Sequence, residues 1–193
     1  MMINKNLIIY LPGYKTDVNV SNVIKNVSLK LNYKFLRINY GNESDDFCFD
    51  IEKIINEILI KINKILIKNN FEKVILIGYS LGAAIAVEIA INDLFNKLVL
   101  ISIFDDREDL LKKRNIKITS RENISPIKKI KQIKIPTIFI HGNKDLSINI
   151  ERSIKVFKKS NNNSIFLEAN ADHYFKQKSQ KNQLYNYLLD QLQ

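Results

Sequence analysis

The chain has no tryptophan, one cysteine, three prolines, five glycines and only two histidines in 193 residues. Each scarcity excludes something. A single Cys48 cannot form an internal disulfide, so a disulfide-stapled secreted scaffold is excluded and a reducing cytoplasm is the expected setting. Cys48 lies in Phe47-Cys48-Phe49 and reads as a small buried hydrophobe rather than a nucleophile. Two histidines and one cysteine make no ligand cluster, so no metal site is expected. So few prolines and glycines, spread along the chain, leave no long disordered linker, and no internal repeat is present. One domain spanning 1–193 is the simplest organisation. Arginine is scarce as well: five of thirty basic residues, despite a net charge of +10. Bidentate phosphate and base recognition favours arginine. There is no RNA-binding aromatic motif and no DNA-binding helix pair, so no nucleic-acid partner is expected. The density of Ile, Asn and Lys fits an AT-rich genome, which weakens the charge as a functional signal.

Long apolar runs are equally few. The longest apolar run in MMINKNLIIYLPG is the five residues Leu7 to Leu11 before Pro12. That falls short of the ~7–15-residue core of a signal peptide. The run from Val74 to Ile91 approaches membrane-spanning length, but Ser80, Glu88 and two glycines interrupt it, and no second such run exists. No transmembrane segment is expected.

That same run organises the chain. Val74, Ile75, Leu76 and Ile77 read as a central strand buried on both faces. Leu81 to Ile91 reads as a core helix. Between them stands Gly78-Tyr79-Ser80-Leu81-Gly82, a G-x-S-x-G pattern. The pattern alone is weak. On a strand-to-helix turn it becomes a nucleophile elbow, with a strained, exposed serine and the free N–H groups of a helix start behind it. A buried turn serine is the competing reading of Ser80.

Strands are expected at Leu7–Leu11, Tyr33–Tyr40, the Val74 run, Lys97–Ile103, Pro136–His141 and Ser164–Glu168. Helices alternate with them: one carrying Val20, Val23, Ile24, Val27 and Leu31, a long one capped by Asp50 and ended by Asn69-Asn70, the elbow helix, Ile148–Phe157 and Tyr174–Leu192. A polar loop is expected at 41–46. Strand and helix in alternation predict a three-layer α/β/α sandwich around a mostly parallel sheet of about six strands. Such sheets bind ligands beyond the carboxyl ends of their strands. Asp145, in Gly142-Asn143-Lys144-Asp145, follows the fifth strand, and His173, in Ala171-Asp172-His173-Tyr174, follows the sixth. The order serine, acid, histidine suits nucleophilic catalysis. A base must take the serine proton, histidine can do so near neutral pH, and a carboxylate fixes the imidazole tautomer. His141 is the only other candidate base, and its place at a strand end beside Gly142 suits packing or hydrogen bonding better. Asp105 and Asp106 are the competing acids, although their charged loop suits a helix cap.

The set of motifs resembles the α/β-hydrolase superfamily over nearly the whole chain. The similarity runs from Leu11-Pro12-Gly13-Tyr14 through the Ser80 elbow and Ile135–Asp145 to Asp172-His173-Tyr174-Phe175. The resemblance implies a serine hydrolase of carboxylic esters or thioesters, working through an acyl-enzyme without metal or organic cofactor. It implies an oxyanion hole from the backbone N–H groups of Tyr14 and Leu81. Pro12-Gly13 stands where the family usually has His-Gly, and the family's first two antiparallel strands are expected to be absent. Tyr14 and Tyr79 flank the implied site and either shape the substrate pocket or pack. The family inserts a lid where 104–134 lies here. Its second half carries nine basic residues between Lys112 and Lys134 against one acid, Glu122. That basic rim suits an acidic carrier protein or a coenzyme A thioester, or reflects lysine bias on a solvated face. The apolar lid residues Ile116, Ile118, Ile124, Ile127, Ile130 and Ile133 could line an acyl pocket or cover the core. The implied substrate is a small-molecule acyl ester or thioester. A non-catalytic binding protein on the same fold is the alternative from another class.

Overall fold

The computed structural model describes residues 5–14, 18–40 and 50–193. The loop expected at 41–46 and Cys48 lie outside the described residues. The strands are β1 (Asn6–Leu11), β2 (Lys34–Arg37), β3 (Lys73–Tyr79), β4 (Lys97–Ile101), β5 (Thr137–Gly142) and β6 (Ser164–Ala169). They form one sheet in the order β2-β1-β3-β4-β5-β6. Every described pair is parallel, so the expectation of a mostly parallel sheet becomes a fully parallel one. The helices are α1 (Val18–Lys30), α2 (Ile51–Lys68), α3 (Leu81–Ile89), α4 (Arg107–Lys112), α5 (Pro126–Lys129), α6 (Ile150–Phe157) and α7 (Lys178–Leu192).

The period-two alternation of the strands sorts their side chains into two cores. Ile8, Tyr10, Ile75, Ile77 and Val99 face α1 and α7, which supply Val20, Ile24, Leu184 and Leu188. Leu7, Ile9, Leu11, Leu76 and Leu98 face α2, α3 and α6, which supply Ile54, Ile58, Ile85 and Val156. In α2 the stripe Ile51, Ile54, Ile58, Ile62 recurs at three and four residues, so one side is buried. The Asp50 side chain accepts from the Lys53 N–H at 3.0 Å and caps that helix, as expected.

β4 ends at Ile101 and α3 at Ile89, each two residues before the expected end, and several other ends shift by one residue. Three further differences have a physical reason. β2 ends at Arg37 rather than Tyr40: after Ile38 donates to the Tyr10 carbonyl, its partner strand runs into Pro12, which has no N–H to continue the ladder. α6 begins at Ile150, not Ile148, because the N–H groups of Ser147 and Ile148 go to the Asp145 carboxylate and Asn149 becomes the cap. α7 begins at Lys178, because Tyr174 to Phe175 belong to a tight turn and Gln177 forms a capping box with Gln180.

Strand order reverses between β1 and β3, since β1 leads outward to β2 while β3 leads toward β4. The loop after β1 and the elbow after β3 therefore open onto one crevice. Two glycines bring the elements there into contact. A Cβ on Gly78 would lie 2.4 Å from the Gly82 carbonyl oxygen, and one on Gly82 would lie 2.2 Å from the Leu11 carbonyl oxygen. Both obstacles are backbone and cannot rotate away. Gly82→Ala is therefore expected to destabilise the protein by ~3 kcal/mol, the upper end of overpacking costs. Urea unfolding followed by circular dichroism checks this, and a midpoint equal to the native one would refute the close approach.

Between β4 and β5 the chain forms α4, α5 and short 3₁₀ turns at Ser120–Glu122 and Ile130–Gln132. Ile124, Ile130 and Ile133 join the core on the α3 side. Lys129 lies 3.8 Å from Glu88 of α3, away from the elbow.

Candidate active site

Ser80 sits between β3 and α3 with φ 53° and ψ −117°, the strained conformation an elbow demands. Its carbonyl receives the N–H groups of Ala83 and Ala84, which leaves the start of α3 aimed past the serine. A Cβ on Gly13 would lie 2.8 Å from the Tyr79 ring and 3.2 Å from Ser80 Cβ, so the loop after β1 runs directly beside the serine. Tyr40 donates its hydroxyl to the Pro12 carbonyl and fixes that loop. Gly13, just before Tyr14, and Leu81, the first residue of α3, thus flank Ser80 from two sides.

His173 is held from three directions. Its Nδ1 lies 2.6 Å from Asp145 Oδ2. Its carbonyl accepts the Tyr79 hydroxyl at 2.8 Å, with the rings 5.2 Å apart. Its turn is closed by the Asp172 side chain, which accepts from the Tyr174 N–H at 2.8 Å, and by Phe175 at φ 48°. Asn19 of α1 adds a bond to the Tyr174 carbonyl at 3.2 Å. The β5 end approaches this turn because Gly142 has no side chain: a Cβ there would lie 2.2 Å from the Ala171 carbonyl oxygen.

Asp145 is buried and surrounded by donors. Oδ1 accepts from the N–H groups of Ser147 at 2.8 Å and Ile148 at 2.7 Å. Oδ2 faces His173 Nδ1 and also His141 Nε2, 3.2 Å away. Burial pushes the carboxyl up. The hydrogen bonds from His141 and His173, the charge of His173 and the Ile148 N–H outweigh it and hold the group well below the usual carboxylate range. The competing acids are engaged elsewhere. Asp105 pairs with Arg152, and the Asp106 side chain caps α4 by accepting the Asp109 N–H at 3.1 Å.

Ser80, Leu81, Tyr79, Tyr14 and His173 line one cavity of about 190 Å³. Its remaining walls come from Phe104, Leu110 and Leu111 before and on α4, with Arg107, Arg114, Ser147, Ile148 and Tyr174. None of the six lid isoleucines lines it. Arg107 donates to the Glu122 carbonyl and Arg114 to the Ser147 carbonyl, which ties both ends of α4 in place. Of the nine basic lid residues Arg114 alone lines this cavity, while Arg121 and Lys129 border a second depression with Asp50, Glu52 and Glu88. Among the described residues no group of acidic, histidine or cysteine side chains could hold a metal ion.

Sequence reasoning missed the Tyr79 hydroxyl bond to the His173 carbonyl and the contact of His141 with Asp145. The first carries no sequence signal. The second has one: His141 and Asp145 stand four apart on either side of a turn at Gly142. Tyr79→Phe keeps the ring and removes the bond, leaving the turn of His173 less fixed. Stability is expected to fall by about 1–2 kcal/mol, and turnover several-fold with KM unchanged. Steady-state kinetics beside thermal melts check this, and native kinetics would show that the turn holds without the bond.

An arrangement of this kind can move a proton from a hydroxyl to an imidazole whose far nitrogen is fixed by a carboxylate, with backbone donors beside the reacting atom. Residues 48–188 match the model of the dienelactone hydrolase family. No curated protein sequence matches the chain. Among solved structures, the esterase domain of a Rhodothermus marinus protein is similar with TM-score 0.75 and 15% identity, over 98% of this chain and 87% of that one. Est1E from Butyrivibrio proteoclasticus, in complex with ferulic acid, gives 0.76 and 12%, over 97% and 89%. The enol-lactonase from Burkholderia xenovorans LB400 gives 0.74 and 14%, over 98% and 92%. Likeness at these identities is likeness of fold, and the fold is that of the α/β-hydrolases.

Proposed function

Because this chain belongs to the dienelactone hydrolase family and is a hydrolase by that membership, we propose that it cleaves small carboxylic esters through an acyl-enzyme on Ser80. Ser80 Oγ attacks the carbonyl carbon while its proton passes to His173 Nε2. The carbonyl oxygen becomes an oxyanion and accepts from the N–H groups of Leu81 and Tyr14. The tetrahedral adduct collapses, the bond to the leaving oxygen breaks, and the alcohol departs with the proton from His173. Water then repeats the sequence on the acyl-enzyme, giving the acid and free Ser80. Asp145 keeps His173 in the tautomer whose Nε2 can accept. The observation that carries this reading is His173, paired with Asp145 at 2.6 Å, lining the same small cavity as a strained Ser80.

The cavity supports a short acyl group. About 190 Å³ lies below the ~300–1,000 Å³ of pockets that take drug-sized ligands. Phe104, Leu110 and Leu111 give it an apolar wall, and Tyr14 and Tyr79 complete it beside the serine. A thioester on coenzyme A or an acidic carrier protein is the second reading, supported by Arg114 at the wall. A cytoplasmic setting suits either substrate, and no described helix is long and apolar enough to cross a membrane.

The test is a panel of aryl esters from acetyl to octanoyl beside the matching coenzyme A thioesters. The expected result is kcat/KM highest for acetyl or propionyl and at least tenfold lower for octanoyl. Thioesters cleaved faster than esters, with rates falling steeply in salt, would move the substrate to the second reading. No cleavage of any member by folded protein would favour a binding role.

A further inference from the structure

His141 is wholly buried at the end of β5 and takes no part in the proposed reaction, yet every polar atom of its ring is engaged. Nδ1 lies 2.6 Å from Ser153 Oγ on α6. Nε2 lies 2.9 Å from the Ile148 carbonyl oxygen and 3.2 Å from Asp145 Oδ2. Ser153 Oγ is in turn 2.7 Å from the Ile103 carbonyl oxygen beyond β4. Both groups facing Nε2 are acceptors, so Nε2 carries a hydrogen. The Ser153 hydroxyl gives its one hydrogen to the Ile103 carbonyl and meets Nδ1 with its oxygen, which anchors the ring, while Nε2–H lies between the Ile148 carbonyl and Asp145 Oδ2.

The consequence falls on Asp145. With the Ser147 and Ile148 N–H groups on Oδ1 and two imidazole N–H groups on Oδ2, the carboxylate has a partner in each direction and cannot swing away from His173. Resting on the triad proposed above, we infer that His141 is a positioning residue: its Nε2–H holds Asp145 Oδ2 against His173 Nδ1, and Ser153 fixes the orientation of the His141 ring that allows it. The second donor also draws charge from the carboxylate, so Asp145 stabilises the His173 imidazolium less than a singly bonded carboxylate would.

The charged groups on the surrounding elements include Lys144 and Asp145 after β5, Asp172 and His173 after β6, Glu168 on β6, Glu151, Arg152 and Lys155 on α6, Asp105 after β4 and Asp109 on α4. Arg152 joins Asp105 and Asp109, Lys155 lies 3.8 Å from Asp105, and Glu168 accepts from Asn143. These contacts are common to native protein and variants, so a change in His173 titration reports on His141.

His141→Leu removes the donor at similar volume, His141→Gln keeps an N–H at similar reach, and Ser153→Ala removes the group that anchors the His141 ring. For His141→Leu, kcat is expected to fall about tenfold with KM within twofold, and the acid limb of kcat/KM to move up by about half a pH unit. His141→Gln is expected within about threefold of native with its limb restored, and Ser153→Ala shifted in the direction of the leucine variant. Since the chain has two histidines, each His141 variant has one, and its ring signal in a proton NMR titration gives the His173 pKa directly. That readout does not need turnover, so an inactive native enzyme would defeat the proposed function while leaving this inference measurable. A His173 pKa equal in native, glutamine and leucine proteins would overturn it, as would equal losses in kcat for leucine and glutamine. Should the leucine variant not fold, a glutamine variant and a Ser153→Ala variant both titrating as native would overturn it as well.

Discussion

Ser80→Ala is expected to abolish labelling by a fluorophosphonate probe and to lower ester turnover by about 10⁴- to 10⁶-fold, with the fold intact. The reagent needs an activated serine and little else from a pocket, so it tests the nucleophile apart from substrate choice. The loss should be chemical and not structural. The Ser80 side chain makes no capping bond to α3, its backbone carbonyl does the capping, and alanine at φ 53° meets the same backbone strain as serine. A melting temperature close to native is therefore part of the expectation. His173→Ala should lose labelling too, because without a base the hydroxyl is a poor nucleophile at neutral pH. Residual turnover in either variant should reflect the oxyanion donors and binding alone. Undiminished labelling of Ser80→Ala would place the nucleophile elsewhere.

What could be read in the sequence divides along a physical line. Contacts that follow from local pattern were legible. The Val74 run, the flanking glycines and the alanine-rich helix give the elbow, because each describes a neighbour in the chain. The places of Asp145 and His173 after the fifth and sixth strands followed from the parallel sheet, which gathers all strand ends on one side. Contacts made by tertiary packing were not legible. Nothing in the neighbourhood of Tyr79 announces that its hydroxyl reaches a carbonyl 94 residues away. The lid isoleucines have the same composition whether they line a pocket or cover a core. The structure puts Ile124, Ile130 and Ile133 into the core, and Leu110 and Leu111 of α4 at the cavity. The basic residues divide in the same way: their density is visible in the sequence, but only the fold separates Arg114 at the cavity from Lys129 beside Glu88.

Asp145→Asn is expected to lower turnover by about 10⁴-fold while the protein folds and still takes substrate into the cavity. The substitution replaces one carboxylate oxygen by an NH₂ group, and the surrounding donors decide how the amide sits. Oδ1 accepts from the Ser147 and Ile148 N–H groups, so the amide oxygen takes that side and the NH₂ takes the side of Oδ2. There it meets His173 Nδ1 and His141 Nε2. A donor now faces His173 Nδ1, which responds by giving up its hydrogen and accepting. The hydrogen moves to Nε2, the nitrogen that must accept the Ser80 proton. The base is then present, correctly placed and in the wrong tautomer. His141 meets a second donor at Nε2 and keeps only the Ile148 carbonyl as acceptor. The opposite amide orientation aims the NH₂ at two backbone N–H groups and loses two bonds. The expected signature is a large fall in kcat, little change in KM and a slow recovery of rate at high pH, where hydroxide can take the serine proton. Steady-state kinetics between pH 6 and 10 with an aryl acetate, set beside thermal melts, check this. Native turnover in a folded Asp145→Asn protein would remove Asp145 from the proposed reaction and return the choice of acid to Asp105.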